Sequence, residues 1–465
     1  MSDSFVFAPR LIELAGPPAK RPLSQLLSCL SSHRGLALLD SAGGKPCEWS
    51  LLAFDPLEMP VTAKPGRAFG LASQLERIEP FLGDTEVPWF HGGFIGALAY
   101  ELGPKGEALD LPTDPLGFPK LVGGFYTDYL LRNETDGRNV LVLGEDPGDD
   151  RPSVEERLER LLDELYQKPR MPRVRAGEAR RLVPREEHMR RIELAREAIA
   201  AGETYQANVT HRFVREVQGS PIDLYRALVA AHPAPYSGYL QFDDGAILSV
   251  SPELLLAADP EPGGIVCRTR PIKGTRPRRD DPIDDRAEAD LLLRSRKDLA
   301  ELAMIVDLER NDLGRLARPG GVVVERFPEL ESYVSVHHLA ANVVAKLKPQ
   351  HDALDALESV FPGGSVTGAP KARTMEILGE LEGEGRGFSY GALGFHSLDG
   401  RARWNLLIRS PLWRPDRNRG GAFGELSWRV GGGITWASDA ADEDDESLEK
   451  GRALIHALDD GAHLE

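Results

Sequence analysis

The chain has 465 residues, 41% of them hydrophobic and 28% charged, enough to bury a large core and to fill two to three domain-sized units. With 56 basic against 73 acidic residues its formal net charge is −17, which argues against a general nucleic-acid or anionic-membrane binder; an anionic small molecule would need a local cationic pocket. No cationic segment leading into an apolar run opens the chain, and no stretch approaches the roughly 18 apolar residues of a membrane span. A cytoplasmic protein is therefore expected, with Cys29, Cys47 and Cys267 reduced, mostly buried and free of metal or Cys-x-x-Cys spacing.

From Phe5 to Leu143 short apolar runs alternate with Gly and Pro, and Gly35–Asp40, Trp89–Gly96 and Val140–Leu143 read as strands. Gly144–Asp150 reads as a loop, Val154–Tyr166 as a short charged helix and Lys168–Ala176 as a connector. The composition divides the chain into a β-rich region 1–150, a linker 151–184 and a second unit 185–462. That unit opens on an amphipathic helix, with Met189, Ile192, Ala195 and Ile199 at helical spacing and Gly202 as its stop. Tyr205–Phe213 is strand-like. Tyr236–Phe242 and Ala246–Val250 form a hairpin about Asp243-Asp244-Gly245, and a second hairpin spans Tyr390–Arg409, turning at Asp399-Gly400. Between them a long helical stretch covers Ala287–Leu316. Hairpins with helices set apart predict an α+β fold built on antiparallel sheets.

Several constellations could carry chemistry. Lys273 lies in the basic segment Arg268–Arg278, where like-charged neighbours disfavour a protonated ammonium and a neutral amine is a nucleophile; the other reading is a solvated basic turn. Asp298 and Glu301 share a helix face, and Glu443 and Glu446 repeat the spacing near the last helix. Carboxylates converging from two helices call for a hard cation such as Mg²⁺, although the second pair could equally be an acidic first turn on a helix dipole. Glu253, just before Leu254-Leu-Leu256, could be a carboxyl with a raised pKa acting as a general acid, or a surface glutamate at a strand end. Phe361–Lys371 reads as a Gly/Ser/Thr loop feeding a helix N-terminus, with Pro370 in its first turn. Gly431-Gly-Gly433, after a strand Glu425–Val430, would let backbone approach a ligand; the plain alternative for both is a tight turn. Arg409, ending the strand Trp404–Ile408, is a candidate carboxylate fork, and His337-His338 has no third ligand at metal spacing and reads as structural.

Taken together, Gly202-Glu-Thr-Tyr-Gln-Ala-Asn-Val-Thr210, Ser251-Pro-Glu253, Arg270-Pro-Ile-Lys-Gly-Thr275, Ile305-Val-Asp-Leu-Glu-Arg-Asn-Asp312, Phe361–Lys371, Ile408-Arg409 and Gly431-Gly-Gly-Ile434 resemble the chorismate-utilising enzymes. The likeness covers roughly residues 185–455, the region before 145 matching more loosely, and is greatest to the aminodeoxychorismate synthase branch. It implies two large antiparallel β-sheets packed as a sandwich with helices outside. Isochorismate and salicylate synthases use a water-activating lysine where Gln206 stands, and anthranilate synthases usually carry alanine where Lys273 stands. The resemblance thus implies that Lys273 attacks C2 of chorismate while Glu253 protonates the departing C4 hydroxyl, and that ammonia then displaces the lysine at C4. It assigns Mg²⁺ to Glu301, Glu443 and Glu446, and substrate contacts to Arg409, Gly431, Gly432, Gly433, Thr275 and Ser365. Ser389 and Asp355 stand where anthranilate synthases have a ligand-facing tyrosine and a functional histidine. No cysteine lies in a Gly-x-Cys-x-Gly context, so ammonia is expected from a separate glutamine amidotransferase subunit. Anthranilate formation is the alternative activity.

Overall fold

The structure, a computed structural model, describes residues 8–42, 48–57, 87–145, 151–333, 336–420 and 422–460. Cys47 and the Asp146–Asp150 part of the expected loop lie outside the described residues. Side chains that alternate along a strand point to opposite faces, and here both faces of each sheet are apolar. Leu38 and Leu52 bury against Leu26, Leu161 and Leu228 of three helices, whereas their neighbours Ala37 and Leu51 face Ile95 and Phe395 of the other sheet. Phe94, adjacent to Ile95, turns the opposite way onto Leu302 and Leu357. The result is a sandwich: two antiparallel sheets with a shared core, and helices covering the outer faces.

Among the described residues the larger sheet holds thirteen strands, running from Ala8–Glu13 at one edge to the paired strands Phe423–Ile434 and Gln206–Gln218 near the other. The second holds nine, from Ile272–Pro277 at one edge through Val336–Leu347, Gly264–Arg270 and Leu254–Glu261 to Leu121–Tyr126. Ala37–Asp40 pairs with Tyr236–Phe242, and Gly93–Leu98 with Ala392–Ser397, so the chain before 145 and the chain after 185 share both sheets.

The expected helix Val154–Tyr166 is present, started by a Ser153–Glu156 capping box. Three expectations are corrected. The stretch Ala287–Leu316 is two helices, Pro282–Arg294 and Arg296–Gly314, because Ser295 caps the second by accepting the Asp298 N–H at 3.3 Å. The strand from Tyr205 runs on to Gln218, paired along its length with Phe423–Ile434, so Gly431–Gly433 lie inside a strand rather than after one. Pro370 sits one position before the helix Lys371–Glu382, as its cap residue.

Candidate active site

The candidate site is built between the edge strand Ile272–Pro277 of one sheet, whose Lys273 reaches the Ser365 carbonyl, and the glycine-bearing strand Phe423–Ile434 of the other. The short turn Gly364–Val366 lies between them. That turn packs hard on the helix Arg296–Gly314: a Cβ on Gly364 would stand 2.4 Å from Leu308 Cδ2. It thereby fixes Ser365, which touches both chemically important groups. Ser365 Oγ donates to Glu253 Oε1 at 2.7 Å, and the Ser365 carbonyl accepts from Lys273 Nζ at 3.4 Å. Glu253 is only 4% exposed. Burial pushes its carboxyl up to about 7, against the opposing pull of Ser365, Lys273, the Ile272 N–H and Arg409.

Lys273 is presented by a bulge. The register skips between Lys273 and Thr275, with Gly274 at φ 65°, and a Cβ on Gly274 would lie 2.6 Å from Leu292 Cδ1 and 3.0 Å from Asp298 Cγ. The strand is thus pressed against the junction of the two helices. The like-charge crowding expected around Lys273 is not found. Arg270 is held by Glu331 and, at 2.9 Å, by Glu329; Arg278 is 2.8 Å from Asp285, and Arg268 is 3.2 Å from Asp259. The acidic partners come from other elements, so they could not be read beside the arginines in sequence. Thr275 is exposed, its hydroxyl 3.0 Å from His338 Nδ1. His337 is likewise engaged, 3.0 Å from Asp285.

The carboxylates approach from two helices. Glu443 is 5% exposed; its Oε1 accepts from Ser438 Oγ at 2.8 Å and from Lys297 Nζ at 3.2 Å. Lys297 Nζ is also 4.0 Å from Glu301 Oε1, an atom that is buried and has no hydrogen-bond partner among the described residues. Burial raises the pKa of Glu301, with Glu443 and Asp298 adding to the shift and Lys273 and Lys297 opposing it. Glu446 is half-exposed and bonded to Lys450 at 2.9 Å, which holds its pKa below the usual range. These three carboxylates are not gathered into one tight set. Among the described residues only His188, His211 and Asp444 bring ligand atoms all within 4.8 Å of one another, and both oxygens of that aspartate are engaged by arginines, Arg181 and Arg185. An all-carboxylate donor set with an unpartnered buried oxygen nonetheless suits a hard cation.

Arg409 lies beyond the strand end at Leu406, in a bend with φ 50°. Its guanidinium is part-buried and has no hydrogen bond or ion pair among the described residues, leaving a positive charge open to a carboxylate. Gly432 faces Glu443, since a Cβ there would be 2.8 Å from Glu443 Oε2, while Gly433 faces Gln206, whose amide would be 2.8 Å away. The Gln206 side chain is fully buried, and neither its Nε2 nor its Oε1 has a hydrogen-bond partner among the described residues. Tyr390 stacks under the Arg386 guanidinium at 5.1 Å, and Asp355 bonds His351 at 2.9 Å.

Two residues that sequence reasoning passed over belong here. Lys297 stands one helical turn before Glu301, a spacing that signals an ion pair. Glu309 is buried, accepts a short hydrogen bond from the Thr269 hydroxyl, and is pushed by burial up to about 8. Asp307 and Arg310 on either side of it disguise Glu309 as one more charge in a polar stretch, so the sequence carries no clear signal for its burial.

A family model described as chorismate binding enzyme matches residues 42–456. Anthranilate synthase component 1 of Streptomyces coelicolor is 34% identical over 98% of this chain and 87% of its own. Aminodeoxychorismate synthase component 1 of Salmonella typhimurium is 35% identical over 84% of this chain and 82% of its own. Anthranilate synthase component I from Streptococcus pneumoniae superposes with a TM-score of 0.75 at 28% identity, covering 88% of this chain and 93% of that one. MenF, the menaquinone-specific isochorismate synthase of Escherichia coli, shares the fold with a TM-score of 0.74 at 18% identity, covering 98% of this chain and 95% of that one.

Proposed function

From the premise that this chain belongs to the family of chorismate-binding enzymes, we propose that it aminates chorismate at C4, giving 4-amino-4-deoxychorismate. The observation that carries the reading is the Ser365 bridge, 3.4 Å from the Lys273 amine and 2.7 Å from the Glu253 carboxyl. In the free-base form that attack requires, the amine of Lys273 forms a bond to ring C2, the ring double bonds shift, and the C4–O bond breaks. Glu253 gives the hydroxyl its proton, so that water leaves. A carboxyl with a pKa of about 7 is partly protonated near neutral pH, as a general acid must be. Ammonia then forms the C4–N bond while the Lys273–C2 bond breaks, and its surplus proton returns to Glu253. The lysine splits one hard displacement into two.

Glu301, Glu443 and Glu446 would hold Mg²⁺, which when bound supplies positive charge for the ring carboxylate. The open guanidinium of Arg409 and the backbone of Gly431, Gly432 and Gly433 take the second carboxylate. Thr275, turned to His338, contributes less directly than Ser365. None of Cys29, Cys47 and Cys267 stands in the Gly-x-Cys-x-Gly context of a glutaminase nucleophile, and burial raises the Cys29 and Cys267 thiols, Cys267 up to about 12. Ammonia therefore comes from a separate glutamine amidotransferase subunit.

Relatives named anthranilate synthase match as well as those named aminodeoxychorismate synthase, which keeps a second reading in play: the aminated ring loses pyruvate and becomes anthranilate. Incubation of the chain with chorismate, Mg²⁺ and ammonium, followed by mass spectrometry, separates them. A product retaining its enolpyruvyl group supports the proposal; anthranilate overturns it. Glutamine is expected to replace ammonium only when the amidotransferase is added.

A further inference from the structure

We propose that Lys297 is a built-in competitor for the metal: its ammonium occupies the space between Glu443 and Glu301, and Mg²⁺ binds only as that ammonium leaves. The inference rests on the assignment of those carboxylates as metal ligands made above. Lys297 Nζ lies 3.2 Å from Glu443 Oε1 and 4.0 Å from Glu301 Oε1, a cation set where the metal charge is called for.

The same contact explains why Glu301, Glu443 and Glu446 do not converge. Two lysines keep them apart, Lys297 on the first pair and Lys450 on Glu446. The lysines differ in what ties them down. Lys450 also donates to the Gly431 carbonyl at 3.0 Å, whereas no other acceptor of Lys297 is found among the described residues. The Lys297 side chain is 55% exposed although Glu443 is 5% exposed. It reaches in from solvent and can swing back out without disturbing a packed core. A single ammonium charge cannot match a divalent ion closely coordinated by oxygens, so the metal wins at sufficient concentration, at an affinity reduced by the exchange.

Calorimetric titration of the full chain with Mg²⁺, repeated by spin resonance with Mn²⁺, tests this without any turnover. Lys297→Met should tighten metal binding about tenfold, and Lys297→Ala should do the same. Lys297→Arg, which keeps the charge, should stay near the wild-type affinity. Glu301→Gln should lose the metal; if it does not, the metal assignment itself is wrong whatever Lys297 does. If Glu301→Gln loses the metal but both Lys297→Met and Lys297→Ala bind it as weakly as the wild type, or more weakly, the competitor role is overturned and Lys297 instead positions Glu443.

Discussion

Removing the Ser365 hydroxyl is the sharpest perturbation of the proposed acid. That hydroxyl donates to Glu253 Oε1 at 2.7 Å and so stabilises the carboxylate over the carboxylic acid. A hydrogen bond to a charged group contributes about 1.5–3 kcal/mol, and one pKa unit corresponds to about 1.4 kcal/mol. Ser365→Ala should therefore raise Glu253 by about one to two units from its value of about 7. The reaction requires the protonated acid, so activity is lost as pH rises through that pKa. The alkaline limb of kcat/KM should move from near pH 7 to between about pH 8 and 9. The assay is ammonia-dependent turnover at limiting chorismate, with total ammonium adjusted so that free ammonia is equal at every pH. The variant will also be slower if Ser365 touches substrate, but the position of the limb is independent of its height. The Lys273 contact uses the Ser365 carbonyl and survives the substitution. An alkaline limb that stays in place, or moves to lower pH, would refute the assignment of Glu253 as the acid.

Lys273→Ala should lower formation of 4-amino-4-deoxychorismate by about two orders of magnitude or redirect the product, and unchanged rates by mass spectrometry would remove the nucleophile. Gly432→Ala places a Cβ 2.8 Å from Glu443 Oε2 and should weaken Mg²⁺ binding in calorimetry while the thermal midpoint changes little, since the position is ordinary extended backbone. Glu309 is pushed up to about 8 by burial, so the folded state holds a proton that the unfolded chain releases near pH 4.3. Its contribution to stability is complete below about pH 4 and is lost as pH rises through about 8; wild type minus Glu309→Gln, measured by urea unfolding at about pH 5 and pH 9, should show that loss.

What the sequence discloses here is what local chemistry decides. The helix Val154–Tyr166 carries its own capping box, and the hairpin at Asp243-Asp244-Gly245 joins two apolar strands through a turn of Asp and Gly, so both were legible without a partner. The break at Ser295 was written in the same local language, a serine three residues before Asp298. Apolar periodicity continuing through it concealed the cap. The pairing of Ala37–Asp40 with Tyr236–Phe242 has no local signal at all, because any apolar strand satisfies that ladder. The surroundings of Lys273 failed for a related reason. Four arginines close in sequence suggest repulsion, but Arg268, Arg270 and Arg278 each meet carboxylates supplied by other elements, and Arg276 donates to the Thr275 carbonyl. Glu301 and Glu253 were legible because a lone charge in an apolar run must be either neutralised or used.

An acidic chain that is to hold a dianion must suppress negative charge at one place, and the structure does so in two physically distinct ways. Burial pushes Glu253 up to about 7, so this carboxyl sheds charge by holding a proton. Glu443 and Glu446 are instead covered by lysines, Lys297 and Lys450, which cancel charge without protonation. Only the second device can be exchanged for a metal, because an ammonium can withdraw into solvent whereas a buried carboxyl cannot be resolvated without opening the core. The direction of charge follows from this. Lys297 makes the carboxylate end of the site nearly self-satisfied, while the Arg409 end keeps an open cation. A diacid would then be held first by Arg409 and the glycine backbone, and its ring carboxylate would become fully held only after the ammonium has given way.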